Sequence, residues 1–141
     1  MDHTFRLVVE DAPDAADLAW LEEKVAAAAA AAAGDELEQE LAVFVRGDQG
    51  ALLGGICGIT WGGYCELHAM WVDESVRGRG LARRLLAAAE DESRRRGCAM
   101  VLFMAYDLLV PNLYERLGYE TVAVVEDCPA GSAARWYRKR L

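Results

Sequence analysis

The sequence predicts an α/β (α+β) domain on a mixed sheet of six or seven strands. Three observations carry this. The chain has 141 residues, room for one domain over 1–141 whose core needs no disulfide or metal staple. Runs of β-branched and aromatic residues recur between glycine turn signals. Between residues 64 and 104 a strand pattern, a helical period and a second strand follow one another, a right-handed crossover that makes the two strands parallel.

Taken in order, residues 5–9 have strand composition. Pro13 and Asp14 then open a helix that runs to Ala33, with Gly34 to end it. Its eight successive alanines are strong helix formers, suited to close packing on a sheet. Residues 41–46 and 51–60 read as a hairpin around Gly47-Asp48-Gln49-Gly50, and Gly62-Gly63 turns the chain into a strand over 64–72. From Gly80 to Arg96 the apolar positions Leu81, Ala82, Leu85, Leu86 and Ala89 have helical spacing, and Gly97 is a ready C-cap. Residues 99–104 are wholly apolar, as in a strand buried on both faces. Pro111 begins a short helix over 112–117, and strands over 119–125 and 134–140 finish the chain.

Composition excludes whole classes of function. At 54% hydrophobic and 27% charged the chain is neither disordered nor fibrous. It has no apolar run of about 20 residues to span a membrane, and Met1-Asp2-His3-Thr4 is no signal peptide. The net charge of −8 has the wrong sign for broad binding to nucleic acid. The charge is uneven. Residues 1–50 hold 12 acidic and 3 basic side chains, and residues 51–141 hold 11 and 12, so the acidic part suits a cationic substrate or serves solubility. Cys57, Cys65, Cys98 and Cys128 have no metal-ligand spacing, and His3 and His68 add none. The expectation is no metal, free thiols and a cytoplasmic location.

The stretch from Trp71 to Ala82 carries the chemistry. A strand ends, a loop brings Arg77, Gly78, Arg79 and Gly80, and a helix begins. Helix-start N–H groups without partners, close approach at glycine and two guanidinium groups make a pyrophosphate cradle. The P-loop lysine is missing because Leu81 and Ala82 follow Gly80, and Arg83 stands where a dinucleotide fingerprint needs its third glycine. ATP and NAD fit poorly.

Arg77-Gly78-Arg79-Gly80-Leu81-Ala82 fits the pattern Arg/Gln-x-x-Gly-x-Gly/Ala. About thirty residues on stands Asn112-Leu113-Tyr114-Glu115-Arg116-Leu117-Gly118-Tyr119. This pair, in this order and spacing, resembles the GNAT superfamily of acetyl-coenzyme A dependent N-acetyltransferases, over nearly the whole chain. The resemblance implies helices on both faces of the sheet and a splayed parallel strand pair. It implies that Met70, Trp71 and Val72 pair with pantetheine, and that Arg77, Gly78, Arg79, Gly80, Leu81 and Ala82, with Arg83 nearby, hold the pyrophosphate. Asn112 would face the pantetheine arm, and Tyr114 would lie near the thioester sulfur.

Direct attack by an amine requires a proton acceptor, an oxyanion donor and help for the leaving thiolate. Tyr114 is the candidate general acid and a backbone N–H of the splayed strand the oxyanion donor. For the base, Glu66 comes first and His68 second, two residues apart on one strand face, with Asp107 third. Trp61 and Tyr64 either wall an acceptor pocket or cap a hairpin. The reading is an N-acetyltransferase using acetyl-CoA on a primary amine, the acceptor a cationic small molecule. The alternatives are a protein or peptide amine as acceptor, or a coenzyme A binding module without catalysis. Residues 134–140 are available for a homodimer contact.

Overall fold

The computed structural model describes residues 4–34, 37–109 and 112–141. His3 and Pro111, read above from sequence, lie outside them. The chain forms two compact units, Met1–Leu37 and Glu38–Leu141.

In the first unit, helix α1 spans Ala15–Ala32. Asp14 stands at its N-cap in extended conformation, Asp17 lies in its first turn, and Gly34 ends it at φ 84°. Residues 5–9 are not a strand, contrary to the expectation. Strand propensity acts only where a neighbouring edge accepts the hydrogen bonds, and the described residues of this unit contain a helix and no second strand.

The second unit holds a six-stranded mixed sheet, an α+β architecture. Its strands are β1 (Gln39–Arg46), β2 (Leu52–Trp61), β3 (Tyr64–Val72), β4 (Met100–Tyr106), β5 (Glu120–Glu126) and β6 (Ala133–Arg140). They lie in the order β1-β2-β3-β4-β6-β5. All neighbours are antiparallel except β3 and β4. Gly62 and Gly63, at φ 59° and 79°, form the two-residue turn between Trp61 and Tyr64. A turn that needs positive φ at both central residues explains the glycine pair.

The crossover between β3 and β4 is helix α2 (Leu81–Arg95). It lays Leu85, Leu86 and Ala89 on a core with Leu41, Ile56, Cys65, Leu67, Val101 and Phe103. Its end is a Schellman turn: Gly97 N–H donates to the Arg94 carbonyl at 3.0 Å and Cys98 N–H to that of Ser93 at 2.9 Å. Strand β4 is not buried on both faces as its composition suggested. Val101 and Phe103 are buried on the α2 side, while Met104 on the other is 38% exposed. Helix α3 has only four residues, Leu113–Arg116. All four cysteines are free thiols.

One irregularity shapes everything downstream. Cys57 pairs with Ala69 but Gly58 pairs with Leu67, so His68 is an extra residue in β3, a β-bulge. A Cβ on Gly58 would stand 2.0 Å from the Glu66 carbonyl oxygen. Glycine is therefore obligatory opposite the bulge. The slip also exchanges faces: Cys65 and Leu67 meet the core before it, and Met70 and Val72 after it.

Candidate active site

Strands β3 and β4 are paired at only three positions, Tyr64↔Met100, Cys65↔Val101 and Glu66↔Leu102. Beyond Glu66 the bulge turns β3 away, while β4 stays with β6 to Tyr106↔Ala134. The strands splay. Their facing backbone edges are left without a ladder between them, and a cavity of about 450 Å³ opens there. Leu67, His68, Ala69 and Met70 line it from β3, Phe103, Ala105 and Tyr106 from β4, Leu86 from α2 and Tyr114 from α3.

At the end of β3 the chain is shaped for an anion. Asp73 accepts hydrogen bonds from the amide and hydroxyl of Ser75, which hold its carboxyl below the usual carboxylate range, and a single 3₁₀ turn follows. Arg77 Nε donates to the Val72 carbonyl at 2.9 Å, which fixes its guanidinium beside the loop. Gly78 and Gly80 have φ 78° and 71°, and a Cβ on either would meet open space. The dihedral, not crowding, demands glycine here. The N-cap Gly80 has no side chain to cap α2 and no acid sits in its first turn, so among the described residues the amides of Leu81, Ala82 and Arg83 are left available to a ligand. Arg79 and Arg83 are exposed at the same end.

Tyr114 stands at the other wall. It is 8% exposed, with its ring centroid 4.6 Å from Phe103, 5.2 Å from Tyr137 and 6.4 Å from Tyr119. Tyr64, Tyr119 and Tyr137 each donate their hydroxyl to a carboxylate, at 3.4, 3.3 and 3.3 Å. The Tyr114 hydroxyl makes no such bond to the described residues, yet it is not a sealed orphan. It belongs to the cavity wall. Burial raises its pKa, so it stays protonated through the neutral range. Asn112, two residues earlier, is exposed in left-handed conformation at φ 60°, which asparagine tolerates better than most residues.

The candidate bases are separated. Glu66 is half-buried, does not line the cavity, and accepts the Tyr64 hydroxyl. It lies on the sheet face opposite Cys65 and Leu67. His68 is exposed and lines the cavity. The expectation that both project from one face assumed strict alternation, and the bulge at His68 interrupts it. Asp107 is bound to Arg135 Nε at 2.7 Å, which ties up its carboxylate. Of the expected pantetheine strand, Met70 lines the cavity, Val72 packs on the core and Trp71 is 57% exposed. Trp61 and Tyr64 meet edge to face, 6.5 Å apart, at the hairpin.

Sequence reading missed Gly58, Phe103 and Leu86 as builders of the site. A glycine inside a strand pattern is the one signal that was present.

The sequence model of the Acetyltransferase (GNAT) family matches residues 4–119. The chain belongs to this family. Acetyltransferase Atu2258 of Agrobacterium fabrum is 34% identical over 110 residues, 77% of this chain and 79% of that protein. Blasticidin-S acetyltransferase of Streptomyces morookaense is 34% identical over 101 residues, 71% of this chain and 74% of that one. A solved structure from Agrobacterium tumefaciens has a TM-score of 0.87 at 28% identity, covering 97% of this chain and all of its own. An aminoglycoside 6′-N-acetyltransferase solved with coenzyme A shares the fold, with a TM-score of 0.61 at 24% identity over 72% of each chain.

The family is one of acetyltransferases, and the co-substrate expected from the sequence is acetyl-CoA. The residues present fit it. The open αL glycines and uncapped amides suit a pyrophosphate, and the unpaired strand edges suit an amide-bearing arm.

Proposed function

We propose that this GNAT protein is an N-acetyltransferase whose acceptor is the primary amine of a cationic small molecule. The observation that supports it most is Tyr114, the one hydroxyl among these packed tyrosines that binds none of the described residues and stands at the wall of the splay. Arg77, Arg79, Gly78, Gly80 and the first amides of α2 hold the pyrophosphate, with Arg83 beside them. The unpaired edge of β3 at Met70 to Val72 aligns the pantetheine arm, and Asn112 approaches it from α3. Acetyl-CoA supplies the activated acyl group.

The chain's own residues then handle protons and charge. A neutral amine is needed for attack, and Glu66, which stands off the cavity wall, takes its proton through water, with His68, on the wall, as second choice. A backbone N–H on the free edge of β3 faces the oxygen on which negative charge develops. The Tyr114 hydroxyl donates to the departing sulfur. Its raised pKa keeps that proton in place at working pH. Two facts support a cationic acceptor. Glu40 and Glu66 stand in one row across β1, β2 and β3, each opposite Ile59, and the relative named above acts on blasticidin S.

The test has two arms. Acetyl-CoA at about 100 times its Kd should raise the melting temperature by about 5–10 °C, with ATP and NAD leaving it unchanged. Thiol release is then followed with blasticidin S, kanamycin and a lysine-ended peptide. Turnover of the first two supports the reading, and turnover of the peptide alone replaces the acceptor class. In Tyr114→Phe, kcat should fall about 100-fold with KM for acetyl-CoA within about twofold. An unchanged kcat removes Tyr114 from the mechanism.

A further inference from the structure

Helix α3 is one turn long, far below the length at which a helix holds its own shape. Its place is set by its contacts, and β6 supplies them. Arg135, Tyr137 and Lys139 alternate along one face of that strand. Arg135 binds Asp107 at the exit of β4. The Tyr137 hydroxyl donates to Glu115 Oε1 on α3 at 3.3 Å. Lys139 Nζ pairs with the buried Glu90 of α2 at 2.6 Å and donates to the Leu117 carbonyl, just past the end of α3, at 3.2 Å. Glu90 also accepts from the Tyr119 hydroxyl.

The Tyr114 carbonyl accepts from the Leu117 and Tyr119 amides at 3.0 and 3.1 Å, but its hydroxyl has no hydrogen bond among the described residues to set its direction. Only ring packing and the pose of α3 can do so. Tyr137 contributes to both: it is 3% exposed, its ring centroid lies 5.2 Å from that of Tyr114, and its hydroxyl holds the residue next to Tyr114.

We propose that Tyr137 is a positioning residue for the acyl-transfer step, aiming the Tyr114 hydroxyl into the splay through ring contact and its bond to Glu115. The proposal rests on the reading of Tyr114 as donor to the leaving sulfur.

A double-mutant cycle tests it, with the fastest acceptor among blasticidin S, kanamycin and the lysine-ended peptide. Tyr137→Phe keeps the ring and loses the bond. Its kcat should fall about tenfold while KM for acetyl-CoA moves less than about twofold. In the Tyr114→Phe background the same change should cost less than about twofold, because its target is gone. Glu115→Ala should behave like Tyr137→Phe. Glu115→Gln, which keeps an acceptor oxygen, should recover most of the rate. These exposed-site variants carry the same cycle if Tyr137→Phe folds poorly. Equal losses in both backgrounds, or no loss in the first, overturn the proposal and leave Tyr114 standing. If Tyr114→Phe itself turns over at the native rate, both readings fall.

Discussion

At the scale of single residues, the decisive contrast is between side chains already committed and those left available. Three tyrosines give their protons to Glu66, Glu90 and Glu115, and Tyr114 does not. Asp107 is spent on Arg135, which demotes it as a base. Arg77 is half committed: Nε serves the Val72 carbonyl, and its other N–H groups face solvent. Arg77→Ala should therefore weaken acetyl-CoA binding about tenfold or more by calorimetry, the worth of a charge-assisted hydrogen bond. The melting temperature without ligand should hardly move, since the side chain is exposed. This part of the site was legible, because glycines, arginines and a helix start are neighbours in sequence. The anchoring of Tyr114 was not. Glu115 and Tyr137 are 22 positions apart, and no local pattern links them.

At the scale of elements, the bulge in β3 does what no single side chain does. It bends one strand of a parallel pair out of register after three partners, and the cavity is the result. Most strands were legible from their turns, since Gly62-Gly63 and the sequence around Gly47 admit little else. The bulge was hidden. Leu67-His68-Ala69-Met70 carries no marker of an extra residue, and the marker lies on the partner strand as Gly58. The first expected strand failed for the complementary reason: composition makes residues 5–9 able to pair, but the described residues of their own unit hold no strand to pair with. Gly58→Ala puts a methyl group against the Glu66 carbonyl. It should cost about 2–3 kcal/mol in chemical denaturation, in the range of overpacked cores. It should also abolish the thermal shift with acetyl-CoA, because relief of the clash moves β3.

At the scale of the whole molecule, the packed phenols set an alkaline limit on stability. Tyr64, Tyr114, Tyr119 and Tyr137 all have raised pKa values, each mainly through burial, with Glu66, Glu90 and Glu115 adding to three of them. The folded state thus holds these protons more tightly than the unfolded chain. Below about pH 10, the ordinary tyrosine value, both states are protonated and nothing is lost. Above it the unfolded chain releases protons first, so stability falls as pH rises toward the folded values, by up to about 1.4 kcal/mol per pH unit for each such hydroxyl. Melting curves from pH 9 to 11 should show a steep decline, and Tyr119→Phe should make it shallower. An equal slope in that variant would place the alkaline loss elsewhere.

The extra residue at position 68 has a consequence for how this chain can change over time. Whether the groove opens depends on how many residues β3 contains, and not only on their kinds. Replacing His68 leaves that count intact, whatever it does to proton transfer. Loss of that one residue would set Ala69 directly after Leu67 in plain alternation, keeping every hairpin and the inward facing of Met70 and Val72 but removing the bulge that parts β3 from β4. In this stretch composition is free to drift, and length is not.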